Sequence, residues 1–87
     1  MYRIRVIRPE GDDEVYETTK HPSLESLQET VGGWIELITV ETSNGARDLI
    51  INEEGRLKDF PLNPKASEYA GWPIFGTAVL FEKGKLK

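Results

Sequence analysis

The chain reads as an α+β protein, a single small domain over residues 1–87, with its elements in the order β-β-α-β-β-α-β. Three stretches carry that reading. Tyr2 to Arg8 alternates apolar and polar side chains, and a second alternating run follows across a turn. Val31-Gly32-Gly33-Trp34-Ile35-Glu36-Leu37-Ile38-Thr39-Val40 joins a helix end, a glycine stop and the most apolar strand of the chain. Asn44-Gly45, the strongest hairpin signal present, leads into another apolar run through Leu49, Ile50 and Ile51.

Taken in order, Tyr2, Ile4 and Val6 point one way and Arg3 and Arg5 the other, as in a half-buried strand. Pro9-Glu10-Gly11-Asp12-Asp13 has turn chemistry, and Glu14 to Thr19 returns as a second strand. The arginines of the first strand then face acidic residues of the second across a hairpin. Lys20-His21-Pro22 ends it, because the residue before proline is pushed out of helical angles. Ser23 is placed to cap a helix, and Glu25 suits its first turn. Leu24, Leu27 and Val31 make a narrow apolar stripe that Gly32-Gly33 terminates.

Trp34, Glu36, Ile38 and Val40 share one strand face and Ile35 and Leu37 the other. With both faces mostly apolar, this strand is expected at the centre of the sheet. Arg47 to Asn52 returns beside it, and Asn52-Glu53-Glu54-Gly55 forms a tight turn. Arg56 to Phe60 is a short strand or irregular segment anchored by Leu57 and Phe60. Asn63 caps a second helix, Pro64 to Ala70, which Gly71 closes. Trp72-Pro73 leads to the last strand, Ile74 to Phe81, where Gly76-Thr77-Ala78 leaves room for a close approach. Residues 1–82 make the ordered core, and 83–87, with Lys83, Lys85 and Lys87, a basic tail. A leading hairpin, a helix crossing one face and later strands in a mixed sheet define a β-grasp (ubiquitin-like) arrangement with one main helix.

Composition narrows the function. Hydrophobic residues are 38% and charged residues 30%, which suits a soluble globular domain. Eleven basic against fifteen acidic side chains give a net charge of −4, which disfavours binding along a nucleic-acid backbone. The absence of cysteine removes disulfides and thiolate chemistry and fits a reducing, cytoplasmic setting. Strand alternation begins at Tyr2, so no signal peptide is expected, and no apolar run approaches the roughly 20 residues of a membrane helix.

Catalytic constellations are not visible. His21 is the only histidine and precedes Pro22 at a helix entry, which suits a loop role and excludes a histidine-rich metal site. Glu53-Glu54 sits on a turn where adjacent carboxylates diverge, without calcium-loop spacing. No serine lies in a nucleophile-elbow context, and Gly32-Gly33 follows a helix rather than opening one, so it is no phosphate loop. No enzyme activity, metal or cofactor is expected. Phe60 and Phe75 read as core, while Trp34, Tyr69 and Trp72 are candidates for exposed aromatics. Glu10, Asp12, Asp13, Glu14 and Glu17 form a candidate acidic face able to imitate nucleic-acid charge against a basic groove.

Val31-Gly32-Gly33-Trp34-Ile35-Glu36, then Asn52-Glu53-Glu54-Gly55-Arg56-Leu57, Pro61-Leu62-Asn63 and Ile74-Phe75-Gly76-Thr77-Ala78 together resemble a known family. It is the domain-of-unknown-function family 3846, small proteins encoded mainly by phages, plasmids and the bacteria that carry them. The motifs run over roughly residues 24–81, with Trp34 standing where a tyrosine is commoner. The resemblance implies a mobile-element origin and assigns no catalytic residue. These motifs converge on Glu36, Arg56 and Asn63 as a shared polar site. The expectation is a non-catalytic protein that binds a host or phage protein, as an inhibitor of host defence or of a nucleic-acid enzyme. The alternative is an oligomer sequestering a small nucleotide-like ligand through Trp34, Arg47, Arg56, Asn63 and Trp72.

Overall fold

Four consecutive residues of the last strand, Ala78, Val79, Leu80 and Phe81, are buried. Successive strand side chains point to opposite faces, so a run of this kind needs cover on both sides. A computed structural model, which describes residues 1–85, supplies that cover. The strands are β1 (Tyr2–Ile7), β2 (Glu14–Thr18), β3 (Ile35–Thr42), β4 (Gly45–Asn52) and β5 (Ala78–Lys83); the helices are α1 (Leu24–Val31) and α2 (Pro64–Ala70). One five-stranded sheet runs in the order β2-β1-β5-β4-β3, and each neighbouring pair is antiparallel.

Two clusters fill the two sides. Ile4, Val6, Ile50, Val79 and Phe81 meet Leu27 and Val31 of α1. Ile7, Val40, Leu49, Ile51, Ala78 and Leu80 meet Ala66 of α2 and Ile74. The alternation of β1 is thus as read: Ile4 and Val6 on the α1 side, Arg3 and Arg5 on the other. Ser23 accepts from the Ser26 amide at the start of α1, and Asn63 accepts from the Ala66 amide at the start of α2. Gly32 and Gly71 close the two helices in left-handed conformation.

Several expectations are corrected. The sheet is antiparallel where a mixed, β-grasp sheet was expected, and it carries a helix on each face rather than one main helix on one face. β3 lies at an edge, not at the centre. Its composition is apolar, but α1 lies chiefly over β4 and β5, so Leu37 on that face remains 46% exposed; Trp34, just before the strand and on its opposite face, is 66% exposed. Leu24 of the helical stripe is exposed, and so is Leu57, at 82%, because residues 53–59 form turns rather than an anchored strand. Residues 74–77 approach the sheet through a single bridge, Leu62 to Phe75, before β5 begins. The β3–β4 turn centres on Ser43-Asn44, with Gly45, at φ 104°, opening β4.

The expected tail starts inside structure. Lys83 ends β5 opposite Arg3, and the Lys85 carbonyl meets the His21 ring at 3.2 Å. Lys87 lies outside the described residues. His21 also packs edge-on against Tyr2, with ring centroids 5.2 Å apart, so it joins the helix entry to the sheet end.

Candidate functional site

The motif residues prove to be a clasp between α1, the 53–62 segment and the approach to β5. Asn52, buried at the end of β4, donates to the Val31 carbonyl at 3.0 Å and accepts from the Glu54 amide at 2.7 Å. Gly55 lies so close to the later chain that a Cβ there would stand 2.5 Å from the Phe75 carbonyl oxygen. Gly76, at φ +88°, leaves no room for a Cβ beside the Phe60 ring, 2.7 Å away. Asn63 is fully buried; its amide donates to the carbonyls of Ile7 at 2.8 Å and Gly76 at 2.9 Å while its oxygen caps α2. Every polar atom of the Asn63 side chain is occupied internally, which removes it from the shared polar site expected with Glu36 and Arg56.

The acidic candidates are also largely occupied. Arg3 pairs with Glu17 at 2.7 Å and Arg8 with Glu14 at 3.1 Å across the first hairpin, as the facing charges predicted. Asp13 is held at 3.1 Å by Arg5 and at 2.7 Å by Lys65, whose ammonium also reaches the Gly11 carbonyl. Arg5 completes the network with Glu82 at 2.6 Å. Burial pushes the Asp13 carboxyl up, but hydrogen bonds from Lys65 and Arg5, and their charges, outweigh it and hold it below the usual carboxylate range. The hydrogen bond Arg5 donates to Glu82, joined by the one it donates to Asp13, raises the pKa of its guanidinium against the opposing effect of desolvation. Only Glu10 and Asp12 of the expected acidic face lack an ion pair among the described residues, so it is not a continuous anionic surface.

Two of the grooves among the described residues lie on the α2 side. The larger, about 580 Å³, runs from the β3–β4 turn past Arg3, Asp13, Arg47, Lys65, Tyr69 and Glu82. Its cations are already engaged: Arg47 donates to the Glu82 and Ala46 carbonyls at 3.0 and 2.8 Å, and Arg3 and Lys65 hold carboxylates. With Glu41 and Glu68 also lining it, this groove is poorly suited to an anion. The smaller, about 180 Å³, brings together Glu36, Arg56 and Trp72 of the sequence candidates, with Glu53, Pro73 and Phe75. Trp34 is not part of its wall, but by strand alternation it lies on the Glu36 face of the chain.

The chemistry available at the smaller groove is recognition: an indole 48% exposed, two carboxylates and one guanidinium, beside a sheet edge. Among the described residues no group of three histidine, cysteine or carboxylate side chains could hold a metal ion. Sequence reading found Glu36, Arg56 and Trp72 but missed the open strand next to them; the signal was the pair Leu37 and Trp34, apolar on opposite faces with nothing local to cover them.

The fold and this surface define a class: a small antiparallel α+β domain in which Asn52, Gly55, Asn63 and Gly76 hold the chain to itself. The chain belongs to the family described as domain of unknown function (DUF3846), whose model matches residues 3–85. That match extends on both sides of the segment in which the motifs lie. Neither a search of curated proteins nor a search of solved structures finds a match. No helix among the described residues is long and apolar enough to cross a membrane.

Proposed function

We propose that this is a non-catalytic binding protein of phage or mobile-element type, which acts in the host cytoplasm by occupying a host or phage protein. Inhibition of a host-defence or nucleic-acid enzyme is the form this action takes. One observation carries the reading: Trp34, Leu37 and Trp72 are exposed around a sheet edge while the buried polar side chains are internally satisfied. Exposed tryptophans bring large apolar area at low entropic cost and recur as interface anchors. Acidic mimicry through the first hairpin is not part of the proposal, since its carboxylates are mostly paired.

The test is capture from host lysate with the wild-type protein and a Trp34→Ala/Trp72→Ala variant in parallel. A partner retained by the first and lost by the second is the expected result; no specific partner, or one both retain, would count against the reading. The nucleotide-ligand alternative rests on Trp72 and Arg56 in one groove, where an indole could stack a base. Glu36 and Glu53 beside them oppose a phosphate, so thermal shift across a nucleotide panel is expected to be flat.

A further inference from the structure

β3 turns half of its backbone toward solvent, and the register says which half. The Trp34 carbonyl accepts from the Glu53 amide at 2.9 Å, and pairing continues without a shift from Ile35–Asn52 to Thr42–Gly45. In an antiparallel pair, backbone groups alternate between facing the neighbour and facing away. Glu36, Ile38, Val40 and Thr42 therefore direct their N–H and C=O toward β4. Ile35, Leu37, Thr39 and Glu41 direct theirs outward, where the sheet ends. Natural edges are usually blunted by shortness, lysine, proline or a bulge. β3 has eight residues and none of these devices. The opposite edge, β2, has five residues, and its Glu14 and Glu17 are pinned by Arg8 and Arg3.

We infer that β3 accepts an extended segment of another protein as a sixth strand, and that this segment alternates apolar and basic side chains. The inference rests on the binding reading above and specifies how that surface works. An added strand would set its side chains alternately on the two faces of the sheet. On the α1 face they meet half-buried Ile35 and exposed Leu37. On the other they meet Glu36 and the groove holding Glu53, Arg56 and Trp72, where two carboxylates against one guanidinium, with an indole face, suit a lysine or arginine. Glu36, Glu41 and Glu53 are exposed and the chain carries a net charge of −4, so a basic segment is favoured over a second copy of β3.

The experiment is amide hydrogen exchange on the full chain with three synthetic eight-residue peptides. One alternates valine and lysine, one valine and glutamate, and one is the valine–lysine peptide N-methylated at alternate residues. The valine–lysine peptide should slow exchange at Ile35, Leu37, Thr39 and Glu41 at least about tenfold, and the others should not. Thr39→Pro removes an outward N–H without breaking the β4 ladder, so binding should weaken at least about tenfold in a folded protein. If that variant unfolds, Leu37→Lys places a repelling charge on the same edge and should weaken binding similarly. Equal protection by the glutamate peptide, or none by the lysine peptide at saturation, overturns the inference. So does protection of the same four amides by raised protein concentration alone, which would assign the edge to a second copy. Failure here alongside tryptophan-dependent capture from lysate would sink strand addition and leave the binding reading standing.

Discussion

Asn63 makes three side-chain hydrogen bonds inside the fold, to residues from β1, α2 and the approach to β5. Replacing it with alanine removes a helix cap and leaves two buried carbonyls short of a donor. Asn63→Ala should therefore lose about 2–4 kcal/mol, read from the urea midpoint. Gly55→Ala should lose about 1–3 kcal/mol or more, because the Phe75 carbonyl in its way is backbone and cannot swing aside. Leu57→Ala, at an exposed turn, should stay within about 0.5 kcal/mol of wild type. The caps at Ser23 and Asn63 were legible because a cap is a local event, three residues long. The close approach at Gly76 was legible as room left by small residues, though not its partner Phe60, and the one at Gly55 was not, since the atoms that fill these spaces come from distant parts of the chain.

The elements are tied together by charge as well as by apolar burial. Asp13, in the β1–β2 turn, links that hairpin to β1 through Arg5 and to α2 through Lys65. Its carboxyl pKa lies lower in the folded chain than in the unfolded one, where it is about 3.8. The contribution is thus fully present above that unfolded value and is lost as pH falls through the folded one. Asp13→Asn should be destabilised by about 1–3 kcal/mol at pH 7, with the gap to wild type closing as unfolding is followed from pH 5 towards pH 2. The Arg3–Glu17 and Arg8–Glu14 pairs were readable from facing charges in a hairpin. The Lys65 and Glu82 members of the network were not, because they arrive from a helix and a strand far along the sequence. β3 misled for a related reason: an apolar pattern shows that a strand has faces to cover, not which strands the helices cover. Ile38→Pro should break the β4 ladder and cost about 3 kcal/mol or more in thermal or urea unfolding, whereas Thr39→Pro, one residue on, should not.

For the molecule as a whole, the motif residues maintain the chain's own packing, and the surface proposed for a partner is the β3 edge with its flanking tryptophans. The measurement that bears on this division most directly compares Trp34→Ala/Trp72→Ala with wild type in urea unfolding and in partner capture on the same preparations. Surface residues should shift stability by no more than about 1 kcal/mol in total while capture disappears. A loss of about 3 kcal/mol or more, the cost of emptying a core tryptophan site, would place these side chains in the fold's own packing and contradict the account.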